Sequence, residues 1–461
     1  MDSNPGHFDL VVLGCGGGHD ETNLSAYLLK PRDKSWSDGI LGLEAGSGYG
    51  ALKRLFGTHP HLFSSLFKPH QPKPKRPTNP IDKAHANQTD KAHTVFTHLK
   101  AYLISHAHLD HCASLIISSG SLPGPTRHIL GVQNVLEDLE RCIWGPGKCW
   151  PRIVGWDQSN PCSNTAGGIL RALKLASPDN SERGDKDEEY LPIGAGLDDM
   201  SVRVVPVSHG CAYTSSAFFV RHVRTRHEFL FFGDVEADPL PLSSSLASSC
   251  SSSNSPAPNS PVRPLLLPIW GHTAHLFTSN RLRTLLIECS YPAGRPKAQL
   301  FGHLCVEGLR KEIKVLADEV AKLRPNLNGD RPINGSGDRQ VNGTDQPIPL
   351  SRKRKPSSDL PYPRTRSLTK SPAPVLSSSS SVGPLSGLRV IVTHCKEPPQ
   401  GFDLQGAPSI ADYIVGQLKF GVKTLGLGPD ETGVEYVAAH QGDEFGKSSP
   451  HVESVEEGHP E

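Results

Sequence analysis

Four side chains able to bind a metal ion fall within six residues: His106, His108, Asp110 and His111, in the stretch Ser105-His-Ala-His-Leu-Asp-His111. Imidazole and carboxylate at that density suit zinc or manganese. The preceding run, Leu99 to Ser105, alternates as a buried strand does, and Cys112 to Ser119 reads as a helix. The cluster therefore stands where a strand gives way to a helix. Side chains two apart can grip one ion there, while the next Asp-His pair turns toward a second. A His-rich loop holding no ion is the alternative, and the packing of four such residues at one strand end weighs against it.

Further strands end in the same residue types. Ser201 to Val207 leads to His209, Glu228 to Phe232 to Asp234, and Leu388 to Thr393 to His394. A structural sheet gains nothing by presenting imidazoles and carboxylates at its strand ends. A metal centre needs ligands held by rigid elements and converging on one edge. Leu282 to Ile287 leads into Glu288. His303 then opens an amphipathic helix expected over His303 to Leu323, with Leu304, Leu309, Ile313, Leu316 and Val320 on one face.

The scaffold around these residues is a strand-rich α/β chain. Strands are expected at Phe8–Cys15, Ser25–Lys30, Gly39–Ala45, Arg127–Val132, Ala217–Val223 and Val422–Leu427, and helices at Tyr49–Leu66, Asn134–Ile143 and Ser409–Phe420. Lys68 to Ala92 reads as a loop, with Lys73, Lys75 and Arg76 solvated within it, and Gly14 to Gly18 as a tight turn. Gly46 and Gly48 permit a close turn beside the cluster. His19, His98, His272 and His275 have no ligand pattern and read as surface or packed residues.

Of 461 residues only 36% are hydrophobic, while Gly (44) and Pro (41) exceed a sixth of the chain, so much of the length is not packed core. The expected organisation is one catalytic domain over residues 8–440. It is interrupted by a Ser/Pro-rich insert at 243–264 and a low-complexity insert at 325–386, and an acidic tail follows at 444–461. The repeated order of strands with helices between them suggests a layered α/β sandwich of two sheets. Net charge is +1, which gives no global electrostatic case for nucleic acid or a membrane surface. No run is long and apolar enough to span a bilayer. Ten scattered Cys with no C-x-x-C pair read as reduced thiols. A cytoplasmic protein is expected, and Arg352-Lys-Arg-Lys355 adds a possible nuclear address.

The motif His106-Ala-His-Leu-Asp-His-Cys-Ala-Ser-Leu-Ile-Ile-Ser-Ser119 resembles the class II cyclic-nucleotide phosphodiesterases of the metallo-β-lactamase superfamily. So do Asn23–Leu29, Leu43-Glu-Ala-Gly-Ser47, Phe232-Gly-Asp234, Leu285–Ser290, Leu300–Leu304 and Val392-Thr-His394. Cys112 and Gly120 depart from the usual residues, but neither is a ligand. The resemblance implies a four-layer αββα sandwich with two divalent ions, zinc first and manganese or magnesium as substitutes. It implies that His106, His108 and His209 hold one ion, Asp110, His111 and His394 the other, and that Asp234 bridges. Asp110, His303 and Glu288 are the expected catalytic residues, His303 as proton donor and Glu288 orienting it. Two ions roughly 3.5–4 Å apart would clamp a bridging hydroxide for attack on phosphorus.

The activity this implies is hydrolysis of 3′,5′-cyclic AMP, with cyclic GMP as a further substrate, to the 5′-nucleotide. The partner is then the cyclic nucleotide, with no nucleic acid or membrane, and a homodimer is compatible. A tRNA 3′-end endonuclease of the same superfamily is the second reading. Leu109 tilts against it, because those nucleases usually place Gly there, and the near-zero net charge suits tRNA poorly. A non-enzymatic scaffold is the third, and the complete ligand set counts against it.

Overall fold

In the computed structural model, two mixed β-sheets face one another, and the hydrophobic alternation of their strands divides the core into layers. Along Glu228–Phe232, Phe229 and Phe231 enter the inter-sheet core, while Leu230 and Phe232 point the other way, toward helices. Leu286 and Ile391 face the first sheet in the same manner, and Leu285, Ile287, Val390 and Val392 face outward. A sheet covered on both faces needs near-continuous apolar strands, which is what these are. The described residues are 6–67, 80–151, 154–156, 168–176, 189–210, 213–239, 265–324 and 383–446. The 243–264 insert, residues 325–382 with the basic run Arg352 to Lys355, and Lys73, Lys75 and Arg76 lie outside them.

The first sheet runs, edge to edge, Glu444–Phe445, Phe8–Gly14, Ala26–Pro31, Ile40–Leu43, Leu99–Leu103, His128–Val132, Gly168–Leu173 and Val154–Trp156. The second runs Glu435–Ala438, Arg389–Thr393, Leu282–Glu288, Glu228–Phe232, Tyr213–His222, Met200–His209 and Leu191–Pro192. Helices Tyr49–Thr58, Pro80–His98, Leu109–Ser118 and Gln133–Leu139 carry apolar side chains into the first core. Helices Leu266–Thr278, Val306–Leu323 and Ile410–Phe420 cover the outer face of the second sheet. The order is αββα, as expected. Tyr27 bridges the sheets: its ring lies 6.0 Å from that of Phe231, and its hydroxyl is 2.5 Å from Thr393 Oγ1.

Strand direction gathers the candidate residues. Glu228–Phe232, Leu282–Glu288 and Arg389–Thr393 are parallel, with Phe231 opposite Leu286 and Glu288 opposite Thr393. Met200–His209 points the same way, because it is antiparallel to a strand that is itself antiparallel to Glu228–Phe232. His209, Asp234, Glu288 and His394 therefore emerge at one edge of the second sheet. In the first sheet Ile40–Leu43 and Leu99–Leu103 are also parallel and deliver Glu44 and His106.

Several expectations need correction. Residues 80–98 form a helix where a loop was expected up to Ala92, with Pro80 at its first position, where its missing N–H costs nothing. Ala92, Val95 and Phe96 bury one face of its last turns. The helix after His303 starts at Val306, leaving His303 in the connection. Tyr49–Leu66 is helical only to Thr58, with a 3₁₀ turn at Ser64–Leu66. Val422–Leu427 is a single bridge enclosing a 3₁₀ turn rather than a strand. At the proposed domain ends, Glu444 and Phe445 pair with Val11 and Leu10, so the expected tail begins inside the sheet. Leu385, placed in the 325–386 insert, is fully buried in the second core.

Candidate metal centre

Between the two sheet edges, His106, His108, His209 and Asp234 form one group of side chains with ligand atoms within 4.8 Å of one another, and Asp110, His111 and His394 form another. Asp234 joins them, and each of its oxygens faces a different side. Oδ2 lies 3.6 Å from both His106 Nε2 and His209 Nε2. Oδ1 lies 3.3 Å from both His111 Nε2 and His394 Nε2. His106 Nε2 and His108 Nδ1 are 3.0 Å apart. Asp110 Oδ2 is 3.9 Å from His111 Nε2 and 3.7 Å from His394 Nε2. All seven residues predicted as ligands thus meet in one place.

The supporting contacts leave one ring nitrogen of several histidines pointing inward. His106 Nδ1 is 2.9 Å from Ser105 Oγ, His209 Nδ1 is 2.9 Å from the Gly302 carbonyl, and His394 Nδ1 is 2.8 Å from Ser25 Oγ. The Gly17 backbone packs against His394, where an added Cβ would fall 2.5 Å from the ring. Within the tight turn expected at Gly14 to Gly18, Gly17 is thus needed for close approach to His394. Gly46 is held in the same way, since its Cβ would meet the Asp110 carbonyl at 2.0 Å.

Electrostatics fit a cation. Burial, helped by neighbouring His111, holds His106 well below the ordinary imidazole value, and burial likewise lowers His108, so both are neutral donors. Burial would raise Asp234, but His394 and His111 outweigh it and hold the carboxyl well below the usual range. For His111 burial is outweighed by Asp234 and Glu44, which raise it far above its ordinary value. Carboxylates that draw a proton onto a buried ring draw a divalent ion to the same place. His111 Nε2 and His394 Nε2 are buried without a hydrogen bond among the described residues, as ligand atoms awaiting an ion would be. The donor set of imidazoles and carboxylates, with these orphaned nitrogens, fits divalent metal.

Glu288 and His303 lie alongside. Glu288 Oε1 accepts from the Val235 backbone N–H at 2.8 Å and is 3.0 Å from His303 Nδ1, and Oε2 accepts from Ser290 Oγ at 2.6 Å. His303 Nδ1 is also 3.7 Å from Asp234 Oδ2. Sequence reasoning gave no role to Glu44. It is buried, accepts from the Ser105 N–H and lies 3.6 Å from His111 Nδ1. The signal was present in the block Leu43-Glu-Ala-Gly-Ser47, a carboxylate directly after a buried strand. Glu44 also takes a positive φ of 56°, uncommon for a residue other than Gly.

Comparison with known proteins agrees with this geometry. The chain is 28% identical over 318 residues to a 3′,5′-cyclic-nucleotide phosphodiesterase of Schizosaccharomyces pombe, covering 67% of this chain and 75% of that protein. It is 26% identical over 324 residues to one of Aliivibrio fischeri, covering 69% and 78%. The crystal structure of unliganded yeast PDE1 shares the fold, with a TM-score of 0.58 at 18% identity over 95% of this chain and 99% of that one. The family model described as cAMP phosphodiesterases class-II matches residues 66–333, more than half of the sequence. The chain belongs to the class-II cAMP phosphodiesterase family.

Proposed function

We propose that this protein hydrolyses 3′,5′-cyclic AMP to 5′-AMP, and accepts cyclic GMP as a second substrate. The observation that carries this is the division of Asp234, one oxygen toward each histidine group. In this reading His106, His108 and His209 would hold one ion, Asp110, His111 and His394 the other, and Asp234 both. Zinc is the ion proposed, on the ligand set. Two such ions would supply charge neutralisation at the phosphoryl group and, by lowering the pKa of water, hydroxide as the nucleophile at neutral pH.

The chain's own side chains supply the rest. His303 commits Nδ1 to Glu288, which fixes the ring and leaves Nε2 for substrate. From there it can give a proton to the 3′ oxygen as the P–O bond breaks. Burial opposes charge on both partners, but each outweighs it for the other, so His303 is held above its ordinary value and Glu288 below. That contact favours the protonated form of the donor.

The test is turnover of cyclic AMP with and without chelator, followed by Asp234→Ala. Conversion to 5′-AMP that chelator abolishes, and loss of both bound metal and activity in the variant, are expected. Intact cyclic AMP with cleavage of a precursor tRNA would replace this reading by a nuclease.

A further inference from the structure

Two large aromatic side chains on segments that reach the centre stand more than half in solvent. Phe301 is 69% exposed and Tyr213 55% exposed. Scattered exposed hydrophobics are ordinary on a protein surface. These two are distinguished by what holds them.

Tyr213 is the register partner of His209 across the hairpin, and its ring stands edge-on to His108 with centroids 4.6 Å apart. It is also 6.4 Å from the His209 ring. Phe301 directly precedes a residue that holds His209. The next residue, Gly302, gives its carbonyl to His209 Nδ1 and lies so close to Gly210 that a Cβ there would meet the Gly210 nitrogen at 2.5 Å. Phe301 itself has φ of 52°, in the left-handed region that a bulky residue rarely adopts. Such backbone costs free energy and persists where the surroundings impose it, most often at functional sites. Here it carries an aromatic ring into solvent rather than into the core.

We infer that Tyr213 and Phe301 form the nucleobase platform of the site, on the side of the centre held by His106, His108 and His209. The inference rests on the cyclic-nucleotide reading above and adds what that reading lacks, a surface for the base. A cyclic phosphate seated at Asp234 leaves the purine projecting outward, and its faces are apolar. Aromatic rings beside the centre take such a face by stacking, without regard to which purine it is. The platform therefore accounts for acceptance of both adenine and guanine.

The experiment compares cyclic AMP with an abasic ribose 3′,5′-cyclic phosphate on the metal-loaded full chain. Tyr213→Ala is expected to raise KM for cyclic AMP about 10-fold, with kcat and metal content little changed. Tyr213→Phe should behave as the parent, and kcat/KM for the abasic substrate should be the same in all three. Phe301→Gly should raise KM for cyclic AMP likewise, while Tm holds or rises because the backbone strain is relieved. Equal losses on both substrates, or lost metal, would assign Tyr213 to holding His108 and overturn the platform. Unchanged KM in both variants would overturn it too, and a lowered Tm in Phe301→Gly would make that ring a packing residue. If the parent protein turns over neither substrate, the failure belongs to the function proposed above.

Discussion

The Glu288 carboxylate holds His303 at 3.0 Å through Nδ1, with both side chains buried, so the ring enters the centre in one orientation. His303 also lies within ligand reach of Asp234 and His394. The Glu288 contact leaves Nε2 as the free ring nitrogen, an arrangement that serves a proton donor and a ligand alike, so metal content decides between them. His303→Gln and Glu288→Gln should each lower kcat by about 10²-fold or more, with two ions per chain still found by metal analysis. Loss of an ion from His303→Gln would make it a ligand and end the proton-donor reading.

Gly17 and Gly18 are neighbours with opposite constraints. A Cβ on Gly17 would lie 2.5 Å from the His394 ring, whereas on Gly18 the nearest atoms are 3.7 Å away, on Glu397. Gly17→Ala should displace His394, weaken metal retention and reduce turnover, and Gly18→Ala should do neither. Dialysis against a weak chelator, with activity before and after, compares them. Equal behaviour of the two variants would mean that the backbone approach to His394 is not what positions it.

Ser25 and Ser105 each orient a different histidine, His394 and His106. Removing such a partner typically weakens metal binding about 10–100-fold. Ser25→Ala should therefore weaken one step of a two-step zinc isotherm, and Ser105→Ala the other. If both variants move the same step, the two histidine groups do not hold separate ions.

Away from the centre, His440 links the end of Glu435–Ala438 to the helix beginning at Ile410, 3.0 Å from Asp412 and 3.5 Å from Asp443. Hydrogen bonding to Asp443 raises it to about 9, and burial, which opposes this, is outweighed with the help of Asp412. A raised folded value means that the contribution is complete below the ordinary 6.5 and fades as pH climbs through about 9. His440→Gln should lower Tm at pH 6 and not at pH 10. The loss should be under about 1 kcal/mol, because the ring is half-exposed and such pairs are screened. An equal fall at both pH values would assign the effect to packing.

Much of this was legible because ligand-type residues followed recognisable strands. Phe232-Gly-Asp234 and Thr393-His394 advertise themselves by an abrupt change from apolar to polar. Glu44 was missed because a lone carboxylate after a strand carries no spacing signal. The helix at Pro80–His98 was missed because its first turns hold few apolar residues, and among its described side chains Ala92, Val95 and Phe96 are the buried apolar ones. Leu266–Thr278 was hidden by Pro268 and Gly271, although Pro in a first turn is tolerated. Glu435–Ala438 is too short for periodicity and is specified by pairing with Arg389–Thr393.

The common direction of the strands has a consequence for the life of the molecule. Its ligand candidates run from His106 to His394 and come from both sheets, so neither sheet alone carries a whole centre, and the two must have met before it exists. Ions bound there would rivet the sandwich along the edge its hydrophobic core does not reach, and their binding free energy would be folding free energy. Unfolding would then have to release metal first, so that the supply of the ion governs how long each copy survives as well as how fast it works.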